Sequence, residues 1–177
     1  YQPGEGCRVC IGNRRAGFLA CIRLHPEEGF LMSGITYGDA KIIPGDHIQI
    51  TTDTWTEPFW QAAKAERLTA CQCGACGQFR MPPTAFCPSC QSQKVNWPTL
   101  PGTGTVFSFA ICNKSPFPDV PDFVYVPVVV DLDGAPGARL VSNLVGMPAE
   151  DIVIGMKVQV DWNDIRDGWK LPIFRKA

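Results

Sequence analysis

The sequence lacks the features of a membrane-spanning, nucleic-acid-binding or disordered chain. Its 177 residues contain no apolar run near the ~20 residues that a membrane helix requires. Sixteen basic and seventeen acidic residues leave a formal charge of -1, without the positive excess that binding to a phosphate polymer needs. Hydrophobic residues make up 45% of the chain, which is too many for a disordered segment. The composition predicts a globular protein, with no membrane and no nucleic acid as partner.

Nine cysteines are present, an odd number, and seven of them fall into two short clusters. Such clustering predicts metal ligation in a reducing compartment rather than a framework of disulfides. The first residues show no charged segment followed by an apolar one, so no secretory signal is expected. The predicted location is the cytoplasm.

The central cluster consists of two Cys-x-x-Cys pairs, Cys73 with Cys76 and Cys87 with Cys90, separated by ten residues. Gly77 follows the first pair and allows the tight turn in which backbone N–H groups point at thiolate sulfur. Four thiolates converging from two such knuckles predict a closed tetrahedral site for zinc, or for iron as in rubredoxin. Because a closed site leaves no position for substrate, we expect a structural metal.

A second metal set is predicted upstream. Cys7 and Cys10 form a Cys-x-x-Cys pair, Cys21 follows after ten residues, and His25 follows Cys21 at ribbon-like spacing. These four residues are the candidate ligands, with His47 as a reserve. The alternative is three buried thiols beside a solvated histidine.

Cys71 and Cys112 are not among the predicted ligands, and the sequence lacks common catalytic motifs. Cys71 belongs to neither set; in an extended segment we expect its side chain to point away from the metal, although it could serve as a spare ligand. Cys112 could be taken for a nucleophile, but neither histidine is placed to pair with it, and a packed or half-exposed thiol is expected. The sequence has no G-x-S-x-G motif and no phosphate-binding P-loop. These absences favour a binding or assembly role.

Three segments differ in composition. Residues 1–53 form a glycine-rich N-terminal metal-binding module, residues 54–101 hold a helix and the central knuckles, and residues 102–177 are nearly free of cysteine and strand-like. In the last segment, five β-branched and aromatic runs are bounded by Gly, Pro, Asn or Asp, at residues 103–112, 124–132, 139–146, 157–162 and 169–174. Five short strands favour a small closed barrel of the OB type over a sandwich of about seven strands. The predicted fold is mainly β.

One helix is predicted at residues 57–67. Thr56 is placed to be its N-cap, and Phe59, Trp60 and Ala63 share one face. Because a helix this short is marginal alone, its aromatic face must dock on something, either within the chain or on a partner subunit.

Several motifs in fixed order, over about residues 56–176, carry a family resemblance. They are Pro58-Phe59-Trp60, Cys73-x-x-Cys76-Gly77, Arg80-Met81-Pro82-Pro83, Cys87-Pro88-x-Cys90, Gly102-x-Gly104-Thr105-Val106-Phe107-Ser108, Ser142-Asn143-Leu144-Val145-Gly146, Ile154-Gly155-Met156-Lys157-Val158 and Leu171-Pro172-Ile173-Phe174. In these motifs the chain resembles the acyl-CoA-associated proteins that join a zinc ribbon to an OB fold.

The resemblance implies a helix, a rubredoxin-like zinc ribbon and an OB barrel that accompany a thiolase-fold enzyme, or in some members a hydratase, an aldolase or an acyltransferase. It implies a hetero-oligomer in which this subunit scaffolds the catalytic partner and helps to bind the CoA moiety of an acyl-CoA. The catalytic cysteine and histidines then lie on the partner. The additional N-terminal module looks like that of small subunits of the thiolases that cleave benzoylsuccinyl-CoA in anaerobic toluene breakdown, or of another thiolase partner.

Candidate contacts to CoA lie in two loops. Lys114 and Phe117 place a cation beside an aromatic ring on a proline-stiffened loop, and Arg80 lies between the knuckles where it could reach a phosphate. The alternative is a rigid surface loop and an exposed ribbon arginine. Two other functions stay open: a nucleic-acid-binding module and a rubredoxin-like electron carrier.

Overall fold

The computed structural model describes residues 36–177 and, for the backbone alone, residues 8–11 and 20–23. The chain divides into two compact units, Tyr1–Ile35 and Thr36–Ala177. None of the helices in this described part has both the length and the apolar character that crossing a bilayer requires.

In the first unit, two short strands pair antiparallel, β1 (Arg8–Ile11) and β2 (Ala20–Arg23). The register places Cys10 opposite Cys21. Two of the four predicted upstream ligands are therefore direct neighbours in the backbone pairing.

Helix α1 spans Glu57–Lys64 and so ends before the predicted residue 67. Thr56 occupies the N-cap as predicted, but its side chain makes no cap hydrogen bond to the helix. The Asp53 carboxylate instead accepts the Thr56 backbone N–H at 2.8 Å and stabilises the preceding turn. At the other end, Glu66 adopts a left-handed backbone with φ of 55°, which stops helical hydrogen bonding.

The helix docks within the chain. Phe59 is 5% exposed and belongs to the hydrophobic core, and the half-buried Trp60 packs against that core. The Lys64 ammonium lies 3.6 Å from the ring centroid of Trp169, near the last strand of the chain. The expectation that the aromatic face is covered is thus met by intrachain packing.

The central segment folds into a small antiparallel sheet of three strands, β3 (Cys71–Cys73), β4 (Phe79–Arg80) and β5 (Val95–Asn96). Their order is β4-β3-β5, so the strand that carries Cys73 is central. Because each strand has only two or three residues, this sheet buries little apolar surface and depends on other contacts for stability.

The C-terminal segment has five strands, which are β6 (Thr103–Phe109), β7 (Val126–Leu132), β8 (Arg139–Leu144), β9 (Lys157–Asp164) and β10 (Lys170–Lys176). They form a closed barrel in the order β10-β8-β7-β6-β9. Neighbouring strands pair antiparallel except β10 with β8, which meet in parallel at Phe174 and Leu144. That parallel contact closes the barrel and removes its open edges.

Side chains alternate along β7 between the interior and the outer surface, as the period of a strand requires. Val126, Val128, Val130 and Leu132 are at most 5% exposed and fill the barrel together with Phe174. Every second residue of β7 therefore faces outward.

The mainly β fold with one helix, a four-cysteine ribbon and a five-stranded C-terminal barrel is confirmed. All five predicted strands are present, with bounds that shift by a few residues. The domain boundaries after residues 53 and 101 stay predictions.

Candidate metal centre

The four central thiols lie together. The sulfur atoms of Cys73, Cys76, Cys87 and Cys90 are all within 4.8 Å of one another, and this is the one group of possible metal ligands in the described residues. Two Sγ–Sγ distances, from Cys73 to Cys90 and from Cys76 to Cys87, are 3.6 Å. Tetrahedral Zn–S bonds of about 2.3 Å place sulfur atoms about 3.8 Å apart, so the sulfur atoms are spaced to hold one zinc ion.

Both knuckles use the same backbone turn. The Gly77 N–H donates to the Cys73 carbonyl at 2.9 Å with a positive φ of 77° at Gly77, as the sequence predicts. At the equivalent position of the second knuckle, the Gln91 N–H donates to the Cys87 carbonyl at 2.9 Å, and Gln91 has a φ of 60°. The sequence analysis missed Gln91 because no glycine marks its left-handed backbone. Its position four residues after Cys87, which matches that of Gly77 after Cys73, was the available clue.

The turns also direct backbone N–H groups at the sulfur atoms. The N–H groups of Cys76 and Ala75 lower the pKa of the Cys73 thiol to about 6, and the Ala75 N–H lies 3.4 Å from its sulfur. The Cys90 N–H likewise lowers the pKa of the Cys87 thiol. Because metals bind thiolates, this backbone arrangement favours the ligating form of the two buried cysteines.

The site is closed to substrate. Cys73 and Cys87 are buried and Cys76 and Cys90 are exposed, so one side of the cluster lies at the surface. Four thiolates complete a tetrahedral shell and leave no open position, which suits a structural zinc ion and not a catalytic one. The Gln78 side chain adds an outer contact, since its Oε1 accepts a hydrogen bond from Ser89 and lies 4.0 Å from the Cys87 sulfur. Gln78 was not among the predicted residues.

Cys71 and Cys112 both lie outside the cluster. Cys71 is 1% exposed, and burial raises its pKa. The reason given for expecting Cys71 to point away from the metal was wrong. Residues two apart share a strand face, and both Cys71 and Cys73 are buried in β3. Cys112 is half-buried and faces Tyr125 across an isolated β-bridge.

Arg80 is buried instead of exposed. It is 7% exposed, and its Nε and one terminal nitrogen donate to the Thr84 carbonyl at 3.3 and 3.2 Å. Within the described residues its second terminal nitrogen has no hydrogen-bond partner. These contacts brace the loop between the knuckles, and a contact from Arg80 to a CoA phosphate stays a prediction.

Side-chain contacts to other residues hold the proline-stiffened loop in place. The Lys114 ammonium pairs with Asp122 at 2.5 Å, and the Phe117 ring stacks on His47 at 4.7 Å between centroids. The Nδ1 atom of His47 also lies 3.8 Å from the Oδ1 atom of Asp119. Lys114 and Phe117 share one loop, 34 and 37 residues along the chain from Arg80. Their role in CoA binding is untested.

The upstream metal set falls largely beyond the described part of the chain. Cys7 and His25 lie outside the described residues, and only the backbone of Cys10 and Cys21 is described. A second metal site built from these four residues stays a prediction.

Two families match consecutive segments of the chain. Residues 60–96 match the family described as "ChsH2, rubredoxin-like zinc ribbon domain", and residues 97–163 match "ChsH2, C-terminal OB-fold domain". The ribbon family ends where the barrel family begins, which agrees with the order of the two folds in the structure.

Three similar proteins extend this finding. A "probable enoyl-CoA hydratase alpha subunit" of Thermomonospora curvata is 41% identical over 122 residues, which are 67% of this chain and 37% of that protein. A "DUF35 domain-containing scaffold protein" of Methanocaldococcus jannaschii is 27% identical over 56% of this chain and 70% of its own length. A chain in the solved structure "Ltp2-ChsH2(DUF35) aldolase" is 35% identical with a TM-score of 0.66, over 73% of this chain and 99% of that chain. The chain thus spans little more than a third of the hydratase subunit, but nearly all of the chain in the aldolase structure.

Proposed function

Because the chain belongs to the ChsH2/DUF35 family of zinc-ribbon and OB-fold proteins, we propose that it is a non-catalytic subunit that scaffolds a thiolase-like enzyme acting on acyl-CoA. The observation that carries this proposal is the similarity over 99% of the family member solved as part of an aldolase. The partner holds the catalytic groups, and this chain supplies a docking surface and contacts to CoA.

The chemistry of the described residues supports an accessory role. The four clustered thiols form a closed site, so a metal held there organises the ribbon and does not bind substrate. Cys112 lacks a histidine partner in the described hydrogen-bond network and faces Tyr125 instead. These features fit a subunit whose chemistry is done elsewhere.

Metal binding at the centre is part of the proposal. We infer one zinc ion, because the four-cysteine set, the sulfur spacing and the ribbon family agree. Iron in the same site would make the protein an electron carrier. Elemental analysis and visible absorbance of the isolated protein separate the two, since a zinc protein is colourless and a ferric site with four thiolate ligands is coloured.

The finer proposal concerns the substrate. The N-terminal module motivates benzoylsuccinyl-CoA, the intermediate of anaerobic toluene breakdown, whereas the relatives above are named for hydratase, scaffold and aldolase roles. Lys114, Phe117 and Arg80 are the proposed contacts to the CoA moiety. Of these, Lys114 is the most accessible, because its side chain is 81% exposed.

The test is co-purification of the tagged full chain from its native cells, with mass spectrometry of the companion protein. We expect a thiolase-fold subunit in a fixed ratio, and cleavage of the acyl chain of acyl-CoA, followed as loss of the parent acyl-CoA and formation of the shorter product, only when both chains are present. Turnover of acyl-CoA by this chain alone would contradict the accessory role. Recovery of nucleic acid in place of a protein partner would favour the nucleic-acid module.

A further inference from the structure

The outer surface of the barrel carries an apolar patch. Val141 is 72% exposed, Ile154 is 70%, Val153 is 47% and Phe107 is 43%. With the half-buried Val129, these residues form what we call the outer patch. They include four of the six large hydrophobic residues that are exposed in the described part of the chain.

The strand pairing makes this patch continuous. Val129 of β7 lies directly opposite Val141 of β8, and both face outward because Val128 and Val130 fill the interior. On the other side, the pairing of β6 with β7 shifts register between Val106 and Ser108, so Phe107 is an extra residue in a β-bulge. A bulge re-aims a side chain, which accounts for a large aromatic residue on the outer surface.

The loop before β9 extends the patch past β6. The Gly155 N–H donates to the Val106 carbonyl at 2.8 Å, and the Val106 N–H donates to the Met156 carbonyl at 2.9 Å. The residues just before β9 therefore run along β6 next to Val106, and Ile154 belongs to this loop. With strands about 4.8 Å apart, the patch from Ile154 to Val141 is about 14 Å wide.

A polar row borders the patch. Lys157, Thr105, Asp131 and Arg139 are successive cross-strand partners on β9, β6, β7 and β8. Arg139 pairs with Asp131 at 2.7 Å and stacks over the Phe107 ring, with its guanidinium carbon 3.4 Å from the ring centroid. Lys157 donates to the Thr105 hydroxyl at 2.7 Å and pairs with no carboxylate within residues 36–177. The border therefore carries one cation more than it carries anions.

We infer that the outer patch is the surface on which the thiolase-like partner docks, and this inference rests on the proposed function. The partner would present an apolar face with a carboxylate opposite Lys157. The exposed residues amount to roughly 400 Å² of surface, which is the size of the largest apolar patch on a typical monomer, a patch that is often functional. A specific interface buries about 800 Å² per partner, with an apolar centre and a polar rim. The outer patch and its polar row have the size and arrangement of such a centre and rim.

The experiment measures binding of full-length chain to the thiolase-fold subunit recovered by the co-purification above. Val141→Glu combined with Ile154→Glu is expected to weaken the dissociation constant at least 100-fold, because two charges must be desolvated at the centre of the interface. Val141→Thr combined with Ile154→Thr keeps the β-branched shape and is expected to weaken it about tenfold. Lys157→Glu is expected to weaken it about tenfold, mainly at low salt.

Phe86→Glu is the matched control, since Phe86 is 53% exposed on the ribbon, outside the patch. It should bind the partner as tightly as the wild type. All variants should retain the zinc content and thermal transition of the wild type. If both patch variants bind as the wild type does, or if only Phe86→Glu releases the partner, the inference is wrong and the proposed function stands.

Two other results would also contradict the inference. A wild-type chain that recovers no thiolase-fold subunit overturns the proposed function together with this inference. If the wild type forms dimers in sedimentation analysis, and the patch variants are monomers that still bind the partner, the patch joins two copies of this chain and the inference is wrong.

Discussion

Replacing Cys76 by serine tests whether the metal holds the ribbon together. The ribbon strands have two or three residues each, so the sheet buries too little apolar surface to fold alone. A structural zinc ion supplies about 10–16 kcal/mol to small domains of this kind. If the four ligands share that energy evenly, the loss of one removes about a quarter of it, roughly 2.5–4 kcal/mol. This corresponds to a roughly 100- to 1000-fold weaker zinc dissociation constant.

Competition with a chromophoric zinc chelator measures that constant directly. Hydrogen exchange then shows where order is lost, and we expect faster exchange in β3, β4 and β5 while β7 inside the barrel stays protected. Cys112→Ser is the control, because Cys112 lies outside the cluster. It should leave zinc affinity, exchange and partner binding unchanged. A Cys76→Ser protein that holds zinc within threefold of the wild type would refute a four-thiolate site.

Three further predictions follow from individual contacts. The Arg175 hydrogen bond lowers the pKa of Asp161 below its ordinary 3.8, so the pair stabilises the fold above that pH and the effect is lost on acidification. Asp161→Asn should therefore cost up to about 1 kcal/mol in urea unfolding at pH 7, and less at high salt or at pH 2; equal losses at both pH values contradict this. Gln91→Gly should relieve the left-handed backbone and stabilise the zinc-loaded ribbon by about 0.5–1 kcal/mol in thermal unfolding; a loss of stability contradicts it. Phe174→Ala should cost about 3–5 kcal/mol in urea unfolding, because Phe174 is fully buried; a loss below about 1.5 kcal/mol contradicts close packing there.

The helix gives the ribbon a rigid connection to the barrel. Phe59 joins the hydrophobic core that the barrel valines form, and Lys170 of β10 pairs with Glu66 at 3.0 Å just beyond the helix. The Thr69–Thr99 bridge adds a backbone contact between the two ends of the ribbon. These contacts hold the helix, the ribbon and the barrel together.

The cysteine knuckles and the strands of this fold could be predicted from short segments of the sequence. Cys-x-x-Cys spacing brings two sulfur atoms to one ion because the turn that it encodes is short, and Cys73 with Cys76 and Cys87 with Cys90 met as expected. The strands could be predicted from runs bounded by Gly, Pro and Asn for a similar reason, because backbone preference and side-chain alternation act over a few residues. The number of barrel strands followed from them.

The sequence by itself determined the two cysteine knuckles, the helix and the five strands, because each depends on neighbours within one turn or one strand. Only the tertiary structure decided that Arg80 is buried under its loop, that Gln91 takes the left-handed backbone and that Phe107 faces outward at a bulge. The Phe107 bulge depends on the pairing of β6 with β7, and Arg80 lies on a strand that pairs with β3. The turn at Gln91 is local, but no glycine marks it in the sequence. A local pattern does not specify which face of a segment its distant partners will cover.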